Sequence, residues 1–415
     1  MDDRSQRCSV VVMGTLDTKR ASLAFLAREV VEAGCRVLVM DVSTSRAVDL
    51  PGGIAAELVA PAASEELARL RTLPRGEAVE AMSRASAARL ASLVAAGEVQ
   101  GVIGAGGSGG TTICATAMRG LPYGLPKVLV STLASGNTRV HVGISDIIMM
   151  PSVSDVAGLH PLLERILSNA ARAVAAMAQG YRPVAASGRR VVGLTMYGTT
   201  TPGVSRTAEL LETAGCEPWI FHASGVGGRA MERLVGEGRI HGTVDMTLAE
   251  IGAHIVGGLH DAGPDRLEAA GARGVPQVVV PGAADTIVLP PRDQVPERFR
   301  GRTLNFHNPT MTTMRTTPSE NVEIGRFIAR KLRQAQGPVT VVLPLGGLST
   351  IDRPGKVFFD PAANRALFDT LRAELAPPVR LVEVEQHIDD AAFAARVADE
   401  FLALPARPEI EKAKP

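Results

Sequence analysis

The segment richest in potential chemistry runs from Val102 to Thr112, where Gly104, Gly106, Gly107, Gly109 and Gly110 surround Ala105 and Ser108 and lead into Thr111 and Thr112. Glycines let successive backbone N–H groups turn toward an anion without Cβ collision, and a helix opening behind them adds the positive end of its dipole. A phosphate or a carboxylate is the guest that suits such a loop. No Lys-Ser/Thr follows the glycines, so this is not a P-loop, and their spacing matches a dinucleotide fingerprint only loosely. A tight, closely packed strand-to-helix turn is the competing reading.

Three further segments of the amino-terminal half repeat the theme: Gly14-Thr15-Leu16-Asp17-Thr18-Lys19, the run Ser131 to Thr138 containing Ser135, Gly136 and Asn137, and Ser145-Asp146. Lys19 suits a phosphate as a point charge, and Asp17 and Asp146 suit Mg²⁺ directly or through water. Each residue alone also fits a helix cap or a turn. Their expected gathering on one sheet edge favours the functional reading.

In the carboxyl-terminal half the corresponding loops are Gly198 to Ser205, with Thr199 and Thr200, and Ala223 to Glu232, where Ser224-Gly225-Val226-Gly227-Gly228 forms a second anion-suited nest. Asp245 with Thr247, and Pro281 to Asp285, extend that polar edge. The densest polar run is Asn305 to Glu320, in which Asn305, His307 and Arg315 are the candidate catalytic residues. Arginine offers a fixed fork of donors for carboxylate or phosphate, and a neutral imidazole exchanges protons near pH 7. The alternative makes His307 a loop brace, Arg315 a salt-bridge partner and Thr317 a helix cap. A last polar loop spans Leu345 to Gly355, with Asp360 expected to cap the helix that follows it.

The elements that must position these residues follow from periodicity. Short β-branched runs alternate with longer Ala/Leu/Arg/Glu stretches of helical period, the pattern of parallel sheets covered by helices. Strand, Gly-Thr, helix, Ala-Gly-Cys, strand occurs once from Ser9 and again from Val191, with Ala33-Gly34-Cys35 matched by Ala214-Gly215-Cys216. The expected fold class is α/β, two Rossmann-like domains with mainly parallel sheets and a ligand cleft between them. Residues 1–180 form the first domain, 181–188 a linker, 189–404 the second domain and 405–415 a flexible tail. Ligands of open parallel sheets sit beyond the carboxyl ends of the strands, where the polar loops fall. Asn305, His307 and Arg315 are expected to face the glycine loop across the cleft.

Composition narrows the field. With 44 Lys+Arg against 43 Asp+Glu, the net charge of +1 supplies no field to gather nucleic acid or anionic lipid. Aromatic content of 3% is sparse for base-stacking platforms. The four cysteines, Cys8, Cys35, Cys114 and Cys216, form no CxxC pair and are expected reduced. No apolar run approaches the ~20 residues that span a bilayer, and Met1-Asp2-Asp3-Arg4 lacks the order of a signal peptide. No membrane partner and a cytoplasmic location are expected.

The motifs at Gly14 to Lys19, Gly104 to Thr111, Ser135 to Thr138, Tyr197 to Gly203, His307 to Thr310, Met314 to Thr317, Gly347 to Ser349 and Phe359 to Pro361 resemble, in this order, the ATP-binding half of the plant tobamovirus-resistance protein, a family with stand-alone bacterial members. The resemblance covers roughly residues 7–403. It implies two Rossmann-like domains, ATP with Mg²⁺ as cofactors, self-association as a homo-oligomer, and a separate TIM-barrel protein as partner, because the plant chain carries a TIM-barrel half. Catalytic residues do not transfer with it. The leading expectation is a nucleotide-binding protein; the alternatives are a metabolic enzyme acting on a small carboxylate or acyl substrate, and a non-catalytic assembly module.

Overall fold

A computed structural model of the chain describes residues 8–46, 48, 50, 52–63, 67–185 and 187–405. The expected tail from 406 onward lies outside them. The chain divides into two compact units, Met1–Ala185 and Ala186–Pro415.

The first unit runs β1 (Ser9–Gly14), α1 (Leu16–Glu32), β2 (Arg36–Asp41), α2 (Ala56–Val59), α3 (Leu67–Leu70), α4 (Arg75–Ala95), β3 (Gly101–Gly106), α5 (Ser108–Arg119), β4 (Lys127–Ser131), α6 (Arg139–Val142), β5 (Ile148–Pro151) and α7 (Pro161–Gly180). Its strands form one parallel sheet in the order β2-β1-β3-β4-β5. Alternate residues face opposite layers. Val11, Met13, Val102 and Leu129 join the core under α4 and α5, whereas Val10, Val12, Ile103 and Val128 join the core under α1 and α7. A sheet covered on both faces needs apolar residues at every strand position, which is why its central strands read as unbroken apolar runs.

The second unit continues with β6 (Val191–Met196), α8 (Thr201–Thr213), β7 (Glu217–His222), α9 (Gly227–Gly236), β8 (Gly242–Asp245), α10 (Ala249–Val256), α11 (Ala269–Arg273), β9 (Gln277–Val279), β10 (Thr286–Leu289), β11 (Leu304–Asn308), β12 (Met311–Arg315), α12 (Pro318–Leu332), β13 (Val339–Pro344), α13 (Pro361–Glu374), β14 (Arg380–Val384) and α14 (Ala391–Ala403). Six strands make a parallel sheet in the order β14-β13-β9-β8-β6-β7. Both units are therefore mixed α/β with helix-covered parallel sheets, as the periodicity indicates.

One part differs from the sequence reading. The polar run after Leu304 is no loop: β10, β12 and β11 form a separate antiparallel sheet, with Asn308 to Met311 as the hairpin turn. Its hydroxyl- and amide-rich composition hides the strands, although threonine is β-branched and suits them. Thr200 precedes α8, Thr317 caps α12 in a reciprocal box with Glu320, and Asp360 caps α13.

Candidate functional site

In the first sheet the chain leaves β1 for β2 on one side and returns to β3 on the other, so the topological switch lies between β1 and β3. Ligands of such sheets bind at that crevice, beyond the carboxyl ends of the strands. Gly14-Thr15 follows β1 there and Gly107 follows β3, so Gly14, Thr15, Gly104, Gly106, Gly107, Ser108, Gly109, Gly110 and Thr111 gather at one place.

These glycines divide into two kinds. A Cβ on Gly14 would meet Leu23 and the Ala105 carbonyl at 2.8–2.9 Å, one on Gly104 would meet Cys114 Sγ at 2.9 Å, and one on Gly106 would meet the Gly110 backbone at 3.0 Å. Those three serve close packing. A Cβ on Gly107 would have nothing nearer than Thr132 Oγ1 at 4.0 Å, and one on Gly109 nothing nearer than Val79 at 3.8 Å and Arg75 Nη2 at 4.0 Å. Packing therefore does not demand glycine at 107 or 109.

The two helices that begin at this switch differ in their amino ends. At α1 the first amides are already taken: Leu16 N–H donates to Asp41 Oδ1 at 3.1 Å and Asp17 N–H to Ser43 Oγ at 3.0 Å. Burial pushes the Asp41 carboxyl above its ordinary range, while donors from Ser43 and Leu16 oppose the rise. At α5, preceded by Gly107, no side chain among the described residues accepts from the first turn, leaving Ser108, Gly109 and Gly110 N–H groups for a guest. Thr111 braces the turn from below, its N–H donating to Gly107 O at 2.8 Å and its hydroxyl meeting Ser131 Oγ at 2.6 Å.

Beside that open turn stand Thr132, from the run Ser131 to Thr138, and one group the sequence reading missed, Arg75. The start of α4 lies against the first turn of α5, since a Cβ on Gly109 would come within 3.8 Å of Val79 and 4.0 Å of Arg75 Nη2. Arg75, the first residue of α4, is exposed and makes no hydrogen bond or ion pair with any described residue, and the Thr132 hydroxyl closes the other side. Nothing local in Leu73-Pro74-Arg75-Gly76 announces this; only the crossover brings it to Gly109.

Other predicted residues go elsewhere. Lys19 pairs with Asp155 at 2.9 Å. Asp17 lies on the carboxyl edge of the sheet, but Ser145-Asp146 precedes β5 and sits on the amino edge, where Asp146 binds the buried Lys127 at 2.6 Å and accepts from Gly124 N–H at 2.7 Å. Strands of this length separate the two edges by about 15 Å. Asp17 and Asp146 therefore do not share a metal, and the polar loops do not all occupy one edge as expected. No group of three or more His, Cys, Asp or Glu side chains suited to a metal occurs among the described residues. Ser135, Gly136 and Asn137 form an exposed turn, with Asn137 Oδ1 accepting from Arg139 N–H at 3.2 Å.

The second unit meets its own candidates with closure. Its nest is filled from within: Glu250 Oε1 accepts from Gly225 N–H at 2.7 Å and Gly228 N–H at 3.2 Å, which removes Ser224-Gly225 as an open anion site. Glu250 is held in turn by the fully buried Arg266, which also binds Asp245 and Glu232. At the switch between β6 and β8, hydroxyls stitch the strands together: Thr200 Oγ1 meets Thr247 Oγ1 at 2.8 Å and Thr247 N–H donates to Thr195 Oγ1 at 3.0 Å. The Thr199 carbonyl accepts from Thr350 N–H at 2.8 Å.

The structure also separates the residues grouped as catalytic. Arg315 is only 4% exposed, and its guanidinium binds the Phe358 carbonyl, Thr316 and Asn364 at 2.6–2.8 Å, so its donors serve the core. His307 is exposed on β11, and Asn305 bonds across the ladder to Thr313. Beside β11 lies an open surface depression of about 550 Å³ lined by Arg292, Asp293, Phe306, Asn308 and Pro309. Below Arg315 a buried carboxylate, Asp285, accepts from Ser349 Oγ at 2.7 Å. Burial pushes Asp285 up to about 6, against the pull of Arg315 and with the help of nearby Asp352.

Comparison with known proteins adds the family. Residues 8–183 match the N-terminal domain, and residues 189–405 the C-terminal domain, of the uncharacterised protein family UPF0261. A UPF0261 protein of Clostridium tetani is 42% identical over 395 residues, covering 95% of this chain and 98% of its own. The tomato (Solanum lycopersicum) ToMV susceptible protein tm-1(GCR26) is 37% identical over 419 residues, covering 95% of this chain but 55% of the plant protein. Among solved structures, a UDP-N-acetylglucosamine 2-epimerase aligns over 96% of both chains at 10% identity and a TM-score of 0.21, too slight a likeness to carry an argument. No helix among the described residues is long and apolar enough to cross a membrane. The chain belongs to the uncharacterised protein family UPF0261.

Proposed function

We propose that the first unit binds the phosphate of a small anionic ligand, a nucleotide carried with Mg²⁺, at the amino end of α5. The observation that carries this reading is the contrast between sites. Of the glycine-rich turns at the strand ends, the α1 turn is capped by Asp41 and Ser43 and the α9 nest is filled by Glu250, whereas the α5 turn keeps its amides and stands beside an unpaired arginine. Three N–H groups, the helix dipole and a guanidinium together match a phosphate's charge and acceptors. Thr15 and Thr132 hydroxyls flank the place the anion takes.

Mg²⁺ fits as a companion of the ligand. Magnesium is usually held by one or two carboxylates plus substrate phosphates, and Asp17 is the carboxylate of the predicted pair on this edge. Resemblance to the plant family supports ATP as the nucleotide. Because this chain spans only about half of the tomato protein, a separate partner supplying the counterpart of the remainder belongs to the same proposal, as does self-association. The test is calorimetric titration of the full chain with MgATP, ADP and inorganic phosphate: saturable binding lost in Arg75→Ala supports the site, and no binding of any of the three rejects it.

A further inference from the structure

Cys8 and Cys35 occupy one rung at the amino edge of the first sheet. Ser9 pairs with Arg36 in the parallel ladder, and Arg36 N–H donates to Cys8 O at 2.8 Å, so the residues just before them are neighbours. Adjacent strands lie about 4.8 Å apart, within the roughly 4.4–6.8 Å between Cα atoms that a disulfide spans. Both side chains face the same layer: Cys35 belongs to the core under α1 and α7, and Cys8 packs against it. The Cys35 thiol donates to the Ala175 carbonyl at 3.7 Å, and both cysteines are free.

The second unit provides an internal comparison. There Val191 pairs with Glu217, and Glu217 N–H donates to Arg190 O at 2.9 Å, so the equivalent rung joins Arg190 to Cys216. The repeated Ala-Gly-Cys thus places a cysteine before the second strand of each unit, but only the first unit sets a second thiol opposite it.

We propose that Cys8 and Cys35 are a reversible oxidation site, at which a peroxide converts the pair into a disulfide that staples β1 to β2. Cys8 is half-buried and meets the oxidant first, whereas Cys35 is 3% exposed. The Cys8 thiolate attacks one peroxide oxygen, the O–O bond breaks, and the leaving hydroxide takes up a proton to leave as water, giving a sulfenic acid. Cys35 sulfur then attacks the Cys8 sulfur, the S–OH bond breaks, and the Cys35 proton departs with the hydroxyl as a second water. Two thiols and one hydrogen peroxide become one disulfide and two waters. Burial pushes the Cys35 thiol up to about 12, so Cys35 must lose its proton as it attacks, which makes disulfide closure the slower of the two steps.

The experiment treats the full chain with hydrogen peroxide, counts thiols after denaturation, and maps peptides without reduction. The expected result is a fall from four titratable thiols to two, a Cys8–Cys35 cross-linked peptide within one chain, a higher Tm and full reversal by dithiothreitol. Cys8→Ser should keep its remaining thiols reduced, and Cys35→Ala should accumulate a dimedone-reactive sulfenic acid at Cys8. Four thiols still titratable, Cys8 driven to sulfinic acid beside an untouched Cys35, or cross-links between chains would each overturn the proposal. Should Cys35→Ala fail to fold, the Cys8→Ser result and the peptide map decide alone.

Discussion

Replacing Gly109 with alanine separates the packing and the binding readings of the glycine loop, because they predict opposite signs. Gly109 lies in the first turn of α5, and a Cβ there would sit 3.8 Å from Val79, ordinary contact. Alanine in a helix is favoured over glycine by about 0.8–1 kcal/mol in the helix interior, and by less near an end. Gly109→Ala should therefore leave stability unchanged or raise it by up to ~1 kcal/mol. The same methyl intrudes on the face where the anion meets the amides and Arg75. Loss of one hydrogen bond to a charged group costs about 1.5–3 kcal/mol, or a ten- to hundred-fold rise in Kd.

The assay is thermal unfolding with ligand held at ~100 times the parent's Kd, where binding stabilises by about 2.7 kcal/mol. A tenfold weaker variant keeps ~1.4 kcal/mol of that and a hundredfold weaker one ~0.4 kcal/mol. For a unit of this size each kcal/mol moves Tm by about 2–4 °C. The ligand-induced shift should drop by roughly 3–9 °C while the ligand-free Tm holds or rises. A lower ligand-free Tm with an undiminished ligand shift would refute the reasoning and return the glycine to packing.

Other outcomes follow from the same geometry. Arg75→Ala should weaken anion binding about tenfold or more while changing the unfolding free energy by less than ~0.5 kcal/mol, since the side chain is exposed; titration calorimetry and urea unfolding check the two parts. Arg266→Met removes the cation that binds Asp245, Glu232 and Glu250 in a buried cluster and should cost the second unit about 3–5 kcal/mol in denaturant unfolding. That deficit should shrink as pH falls, because burial already raises the Glu232 carboxyl and loss of Arg266, which opposes the rise, lets it protonate more readily. Asp285, pushed up to about 6 in the folded chain from an ordinary 3.8, binds more protons folded than unfolded between those values. Its contribution therefore makes stability fall as pH rises from about 4 to 6 and stay flat above; Asp285→Asn should flatten that part of the profile in parallel unfolding series.

Much of the architecture was legible because strands buried on both faces, such as Val10 to Met13 and Val339 to Leu343, must be apolar throughout. Helix starts marked by Thr317 with Glu320, and by Asp360 before a proline, were legible for the same local reason. The β10-β12-β11 sheet was not, since β11 is half-exposed and polar and β12 buries threonines whose hydroxyls disguise its periodicity. At the site, the glycine density between Val102 and Thr112 marks a turn whose first amides no described side chain takes. Which turns were open depended on long-range partners: Asp41 reaches Leu16 across 25 positions and Glu250 reaches Gly225 across 25, and neither spacing leaves a local trace. Asp146 was misplaced because a polar pair before a strand looks like one after it when the strand itself, Ile148–Pro151, is short and half-exposed.

The most direct test of the central claim is a nuclear magnetic resonance titration of the ¹⁵N-labelled full chain with MgATP, following backbone amides. The account predicts saturable shifts at Ser108, Gly109 and Gly110, with Thr15 and Thr132 moving beside them, and unchanged amides at Gly225 and Gly228, which Glu250 already holds. Shifts confined to Gly225 and Gly228, or no saturable shift at the amino end of α5, would contradict it.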